Sequence, residues 1–330
     1  MSPLSPSFRS EIRARLGDFS RLEPRRALGA FAFDWALIAL AMAAAILSGG
    51  QIAVVLAALV IIGGRQHALF ALLHEGVHAR LSENRAWNDR LANLLAGYPI
   101  FMSVEAYRAN HLRHHRHLNT DEDPDWVRKA GSEEWRFPCA RSRLGRTFAG
   151  YLWGRGLAEA YAVARLLSGL QPLAALRDAS ARRELVRRLA YFAGLGALAF
   201  ATGRGVAIAG LWLGAYVLVL PVLMRLRSLA EHFGVANEHD LNRTRTSIAP
   251  WWERALFTPH NIGYHLEHHL YSSVPFYRLP DFHAWLMAQT EYRASAHVSE
   301  GYFSRAPRGV LAELVASPAE RPAPGENSAA

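Results

Sequence analysis

The chain has 330 residues, 51% of them apolar, and a formal net charge of +9. Its single cysteine excludes an internal disulfide framework and any zinc or iron–sulfur site built from several cysteines. The basic residues lie beside long uncharged stretches rather than in one patch, which favours anionic lipid headgroups over nucleic acid. We therefore expect an integral membrane protein that does not bind nucleic acid.

Four apolar stretches predict membrane-spanning helices, because a span needs about 20 apolar residues. They cover residues 27–48, 51–73, 189–202 and 206–224. The first contains Asp34. The second is long enough only if Arg65 extends to the membrane interface, and the third only if Arg187 and Arg188 do so. Short glycine-containing turns follow the first and third stretches and indicate two helical hairpins.

Arginines cluster before the first and third stretches and after the fourth, whereas the two hairpin turns share one arginine. The positive-inside rule then places both termini and the region between the hairpins in the cytoplasm. Since the arginine-rich composition is typical of a bacterium, we expect the bacterial inner membrane. Segment 91–103 is apolar but too short to cross, and Pro99 discourages a continuous helix. We interpret it, like segment 157–176, as interfacial or re-entrant.

The pattern predicts an all-α integral membrane fold. Four transmembrane helices in two hairpins would lie under a cytoplasmic helical cap, built from residues 103–188 and 226–314, that carries a site for two metal ions. Residues 1–26 would form a cytoplasmic N-terminal segment and residues 27–314 the membrane domain. The tail, 315–330, is rich in proline, alanine and glutamate, and is predicted to be disordered.

Histidine spacing is the most informative feature of the sequence. One HxxxH motif ends the second stretch, two HxxHH motifs follow later, and one further histidine follows the fourth stretch. Side chains three and four positions apart share a helix face, so each motif presents its imidazoles in one direction. The candidate metal ligands are His74, His78, His111, His114, His115, His232, His265, His268 and His269.

Nine imidazoles are too many for one tetrahedral zinc ion, which takes four ligands. They suit two ions of five or six coordinate positions each, with room for water or O2. Imidazole also binds zinc, copper and nickel, so the ligand type alone does not select iron. Two irons can store the electrons needed to split O2 and attack an unactivated C–H bond, whereas zinc has no redox chemistry.

Two other interpretations of the histidines explain less of the sequence. The segment HEGVH fits the HExxH motif of membrane zinc proteases, in which Glu75 would be the general base. That interpretation leaves both HxxHH motifs without a role. A non-enzymatic metal transporter would be expected to carry ionisable residues along its spans, whereas the histidines here lie mostly outside them.

The three histidine motifs around paired hairpins resemble those of the membrane fatty acid desaturase and hydroxylase superfamily. Segments HNIGYHLEHHLYSSVPFYRLPDFH and NTDEDPDW look particularly like bacterial acyl-lipid desaturases. The resemblance implies that the nine histidines bind two irons and that O2 is a co-substrate. It implies desaturation of a lipid acyl chain, with electrons from a separate ferredoxin or similar carrier. Hydroxylation of an acyl chain, a sphingolipid-like lipid or a carotenoid by the same centre is the alternative.

Several further residues are candidates for supporting the ligands. In stearoyl-CoA-type desaturases an asparagine four residues before the lone histidine holds a metal-bound water, and this chain has Ser228 there. Ligating histidines commonly donate their second ring N–H to a carboxylate. The candidate acceptors are Glu75, Glu231, Glu267 and Asp123. His117 and His260 flank the motifs and are further candidates for ligands or their supports.

Overall fold

The computed structural model describes residues 4–167, 179–304 and 308–315, and this part of the chain is mostly helical. The helices are α1 (Pro6–Ser20), α2 (Pro24–Leu47), α3 (Ile52–Val77), α4 (Arg85–Ala92), α5 (Val104–Arg116), α6 (Pro124–Val127), α7 (Arg141–Gly150), α8 (Gly156–Leu167), α9 (Ala179–Ala201), α10 (Gly205–Leu218), α11 (Leu220–His232), α12 (Trp251–Leu256), α13 (His265–Leu270), α14 (Leu279–Met287), α15 (Thr290–Ser295) and α16 (Val310–Val315). Part of the predicted segment 157–176, and the predicted disordered tail after Val315, lie outside the described residues.

Shorter elements join these helices. Single π or 3₁₀ turns occur at Asn93–Gly97, Tyr98–Ile100, Glu133–Trp135, Tyr151–Arg155 and Pro259–Asn261. Two short strands, β1 (Thr246–Ser247) and β2 (Val298–Ser299), pair in parallel.

The chain divides into two compact units. The membrane unit comprises Pro24–Ala109 and Gly150–Leu223. The histidine unit, named for the seven candidate ligands within it, comprises Met1–Glu23, Asn110–Ala149 and Met224–Ala330.

Three helices in the described part of the chain are long and apolar enough to cross a membrane. They are Pro24–Leu47, Ile52–Val77 and Gly205–His232, the last running through α10 and α11. The first two form the predicted hairpin, whose turn is closed by Gly49 and Gly50 at φ +69° and +84°. Glycine adopts this left-handed backbone conformation at little cost.

The predicted third span lies in α9 but does not qualify as a membrane-crossing helix. Arginines and a glutamate occupy the N-terminal half of α9, which leaves only residues 189–201 uncharged. At 1.5 Å per residue this stretch extends about 20 Å, short of the roughly 30 Å hydrocarbon core. The fourth crossing therefore remains a prediction.

Arg65 does not extend to an interface, contrary to the sequence analysis. It is buried within the membrane unit, and its Nη1 lies 2.9 Å from Oδ1 of Asp34, which is fully buried on the neighbouring helix. The two residues are each 14 positions from the ends of the hairpin turn, Ser48 and Gln51, so an antiparallel pair of helices brings them to the same depth. Pairing removes the cost of an isolated charge among apolar helices.

Segment 91–103 is not a continuous α-helix, as Pro99 predicted. It passes from the end of α4 through a π turn and a 3₁₀ turn to Phe101, whose φ is +62°. Hydrogen bonds from neighbouring helices to its backbone carbonyls anchor it within the membrane unit. Trp212 donates through Nε1 to the Pro99 carbonyl at 3.1 Å, and the Tyr216 hydroxyl donates to the Ile100 carbonyl at 3.3 Å.

The histidine unit has its own hydrophobic core, formed around the third histidine motif. Phe8 and Ile12 of α1 are buried together with Leu266 of α13 and with Phe282 and Leu286 of α14. The N-terminal helix is therefore part of the packing that supports α13. This burial fixes the helix on which His265, His268 and His269 lie.

Candidate metal centre

Helix ends position the candidate ligands. His74 lies in the last turn of α3, and His78 immediately follows that helix. The second motif occupies the last two turns of α5, and His232 is the last residue of α11. The third motif lies on α13, a helix of six residues. Two of the nine histidines belong to the membrane unit and seven to the histidine unit.

Within the histidine unit, Nε2 atoms meet in two groups of three. In the first triad, Nε2 of His115 lies 2.9 Å from Nε2 of His111 and 3.1 Å from Nε2 of His268. In the second triad, Nε2 of His265 lies 3.1 Å from Nε2 of His232 and 3.0 Å from Nε2 of His269.

The two HxxHH motifs exchange their middle histidines. Each motif keeps its first and last histidines together, as His111 with His115 and His265 with His269. The middle residue, His268, instead joins the triad of the other motif. His114 likewise lies with His232 and His269, their ligand atoms within 4.8 Å of one another. Both motifs therefore contribute to both groups.

The short distances between the Nε2 atoms of each triad are explained better by a bound metal ion than by hydrogen bonds between imidazoles. A ring nitrogen carries either a proton or one lone pair, so the Nε2 of His115 cannot donate to one neighbour and accept from the other. A shared cation satisfies all three lone pairs. Two ligands at right angles, each about 2.1 Å from one ion, lie about 3.0 Å apart, whereas tetrahedral ligands lie about 3.4 Å apart. The spacings of 2.9–3.1 Å suit coordination numbers above four.

The first motif lies in the membrane unit. The imidazole rings of His74 and His78 lie with their centroids 5.0 Å apart, and His74 is fully buried. Glu75 is buried beside them, with its Oε1 4.0 Å from Nδ1 of His74. That distance is beyond hydrogen-bond range, so Glu75 acts on His74 only through its charge in this geometry.

Asp123 contacts His114, one of the candidate ligands. Its Oδ2 lies 2.8 Å from Nδ1 of His114 and accepts the backbone N–H of Asn119 at 2.9 Å. Its Oδ1 accepts the backbone N–H of Asp125 at 2.8 Å, which caps α6. Burial opposes ionisation of Asp123, but the bonds to His114 and the backbone outweigh it and lower its pKa. The ionised carboxylate holds the proton of His114 on Nδ1 and leaves the Nε2 lone pair for a metal.

Asp123→Asn is expected to lower metal affinity about 10- to 100-fold, because the amide removes the charge that orients His114. Asparagine is also a good helix cap, so α6 should be retained. Competition with a chelator measures the affinity, with the exposed neighbour variant Asp121→Asn as the control. Equal affinity in both variants would contradict this role of Asp123.

Glu231 and Glu267 differ in what they contact. Oε1 of Glu231 accepts Nε of Arg227 at 2.7 Å and lies 3.5 Å from Nδ1 of His265, near a candidate ligand. Glu267 instead binds Thr246, His283 and Tyr292 at 2.5, 2.5 and 2.6 Å.

Burial opposes ionisation of Glu267, but these three hydrogen bonds outweigh it and lower its pKa. Because Glu267 lies between two ligands on α13, the bonds fix the rotation of that helix. Sequence reasoning missed His283 and Tyr292. They lie on α14 and α15 rather than on α13, so no spacing within one helix relates them to Glu267.

Ser228 has a partner that the sequence did not indicate. Nζ of Lys129, the chain's single lysine, donates to Oγ of Ser228 at 2.6 Å. The same ammonium lies 4.9 Å from the ring centroid of Trp135 and 5.8 Å from that of Phe233. Burial lowers the pKa of Lys129, and nearby Asp125 opposes that shift. The hydroxyl of Ser228 thus accepts a hydrogen bond from the buried amino group of Lys129.

The two flanking histidines have ordinary local contacts. Nδ1 of His117 lies 2.8 Å from Oε2 of the exposed residue Glu122. His260 has a φ of +52°, and its ring centroid lies 5.3 Å from that of Phe276. Neither residue is among the groups of histidines whose nitrogen atoms converge in the described chain.

An apolar cavity of about 470 Å³ lies within the membrane unit. Trp35 of α2 and Trp212 of α10 form part of its wall, stacked with ring centroids 5.7 Å apart. Phe101, Phe192 and Leu213 contribute further apolar surface. The lining would accommodate a hydrocarbon chain without leaving polar groups unpaired.

Comparisons with known proteins agree with this geometry. The fatty acid desaturase family matches residues 50–301, a segment that contains all nine candidate histidines. A dihydrorhizobitoxine desaturase from Bradyrhizobium elkanii is 28% identical over 313 residues, covering 92% of this chain and 86% of that protein. Because the family match covers more than half of the chain, this protein belongs to the fatty acid desaturase family and is a desaturase-like oxidoreductase.

Proposed function

We propose that the protein desaturates a lipid acyl chain with O2 at a histidine-ligated di-iron centre. The two Nε2 triads of the histidine unit are the main support for this proposal. They offer two groups of imidazoles, and the distances between their Nε2 atoms suit more than four ligands per ion. Family membership supports the choice of reaction. The resemblance to family members adds His74 and His78 to the proposed ligand set.

When bound, two irons supply the redox capacity to reduce O2 and remove hydrogen from an unactivated C–H bond. The overall reaction converts CH2–CH2 to CH=CH and O2 to two waters, using two electrons and two protons from outside the substrate. The chain's own residues hold the ligands in place. Asp123 fixes the proton of His114, and the Glu267 network fixes α13, so that the Nε2 lone pairs point inward.

The substrate proposal rests on the apolar lining of the cavity in the membrane unit. Such a lining suits an alkyl chain and offers no cluster of charges for a polar substrate. The curated relative is named as a desaturase of dihydrorhizobitoxine. Its name favours desaturation over hydroxylation for this chain, without favouring a particular substrate.

The membrane arrangement proposed is that of an inner-membrane protein with four spans, both termini and the metal centre being cytoplasmic. The three apolar helices support membrane insertion. The orientation is supported by the distribution of arginines. They cluster before the first and third spans and after the fourth, whereas the two hairpin turns contain one arginine. A separate ferredoxin or similar carrier would then deliver electrons from the cytoplasm.

Metal content of the detergent-purified protein tests this function first. We expect about two irons per chain and a carbon–carbon double bond in the product when lipid, O2 and a reductant are supplied. A new hydroxyl group in the product would replace desaturation by hydroxylation. One zinc and no iron, in protein produced with iron available, would overturn the proposal and favour a zinc hydrolase with the HExxH motif.

A further inference from the structure

A second cavity lies against the histidine triads, within the histidine unit. Its volume is about 380 Å³, and the imidazoles of His115 and His269 form part of its wall. These two residues are only partly buried, whereas the other five candidate ligands of this unit are buried. The cavity is therefore where the candidate centre of this unit approaches the surface.

The floor of the cavity joins the two triads. His115 belongs to the first triad and His269 to the second. Their rings stack in parallel, with centroids 4.1 Å apart and an interplanar angle of 14°. A group in the cavity would therefore be adjacent to one ligand of each proposed metal position at once.

The rim of the cavity is basic. Arg9 and Arg13 come from successive turns of α1, Arg116 from the end of α5, and Arg243 from the segment before β1. Asp240 is the acidic residue among the described lining, and it is already paired with Arg9 at 3.1 Å. The rim thus has an excess of positive charge, which attracts acidic partners.

We propose that this basic cavity, lined by the four arginines above His115 and His269, docks an acidic electron-carrier protein. The inference rests on the proposed function, which requires two electrons from a separate carrier. An acyl chain is a poor occupant, since arginine and histidine side chains dominate the lining. The stacked imidazoles favour an electron carrier over a substrate headgroup, because they connect the cavity to both triads rather than to one.

Two matched double variants test the cavity. Arg13→Glu with Arg116→Glu reverses two exposed charges on its rim. Arg15→Glu with Arg113→Glu makes the same change in charge on the same two helices, but at residues outside the cavity lining. The probe is an acidic [2Fe–2S] ferredoxin. Its Kd for the full-length, iron-loaded protein is measured at low and high salt, and its rate of electron delivery is measured separately.

We expect the cavity variant to raise the Kd at least tenfold at low salt and to slow electron delivery, with the control changed less than threefold. The difference should shrink at high salt, since exposed charges are then screened. Equal weakening in both variants, or none in either, would overturn the proposal. Unchanged ferredoxin binding with a raised KM for the lipid would assign the cavity to a substrate headgroup instead.

The same experiment separates this inference from the proposed function. If the protein binds two irons that dithionite reduces, but the Kd for ferredoxin is the same in the cavity variant and the control variant, only the proposed docking site is wrong. If no iron is bound, the proposed function fails regardless of where the carrier docks.

Discussion

His268→Ala and His111→Ala are each expected to reduce oxygen-dependent activity to below about one thousandth of the parent level. Each variant removes one of the three Nε2 atoms that meet in the first triad. Residues that act as one catalytic unit lose most of their function when any member is removed. Iron content should fall from about two toward one per chain, while membrane insertion is retained because both histidines lie outside the candidate spans.

The exchange of middle histidines also determines how much iron the double variants should retain. His268 shares a triad with His111 rather than with its sequence neighbour His269. The double variant His111→Ala/His268→Ala should therefore keep about as much iron as either single variant. His268→Ala/His269→Ala should lose both irons, because it removes a ligand from each triad.

Iron analysis and turnover of each purified variant provide the measurement, and His239→Ala is the control. His239 is a half-buried histidine of the same unit that is hydrogen-bonded to Asn242. Full activity with two irons in both single variants would exclude the triads as the metal centre.

The second large effect concerns stability. Asp34→Leu or Arg65→Leu alone is expected to lower the free energy of unfolding by about 3–5 kcal/mol, because each leaves an uncompensated buried charge. The double variant Asp34→Leu/Arg65→Leu should recover most of this loss, since apolar replacement of a buried ion pair is often neutral or stabilising.

The midpoint of thermal unfolding in one detergent measures the loss. The exposed ion pair of Arg15 and Asp18 in α1 provides the control, since an exposed pair of this kind contributes at most about 1 kcal/mol. If the double variant is as unstable as the single variants, the pair does not stabilise the bundle through charge neutralisation.

The histidine motifs were the most predictable part of the site. Spacing of three and four residues predicts that the imidazoles of a motif share one helix face, and the contact of His111 with His115 follows directly from it. The exchange of His114 and His268 did not follow. Spacing within a helix gives no information about which imidazole of another segment lies opposite, because that depends on the packing of α13 against distant residues.

The ion pair of Asp34 and Arg65 could have been found in the sequence. Both interrupt apolar stretches, and both lie 14 residues from the hairpin turn. The antiparallel register of the hairpin brings the two residues to the same depth, where they can pair instead of extending separately to the interface. By contrast, Arg245 and Glu313 lie 68 residues apart in the chain, and their buried contact at 2.7 Å has no periodic pattern behind it. Lys129 and Ser228 are separated still further.

The exchanged middle histidines also constrain how such a protein can change through descent. Both α5 and α13 contribute imidazoles to both groups of ligands, so an insertion or deletion that shifts either helix would displace ligands of both groups together. A single substitution such as His111→Ala, by contrast, removes a ligand from one group only. In the descent of such a protein, the lengths of α5 and α13 are therefore constrained by both groups at once.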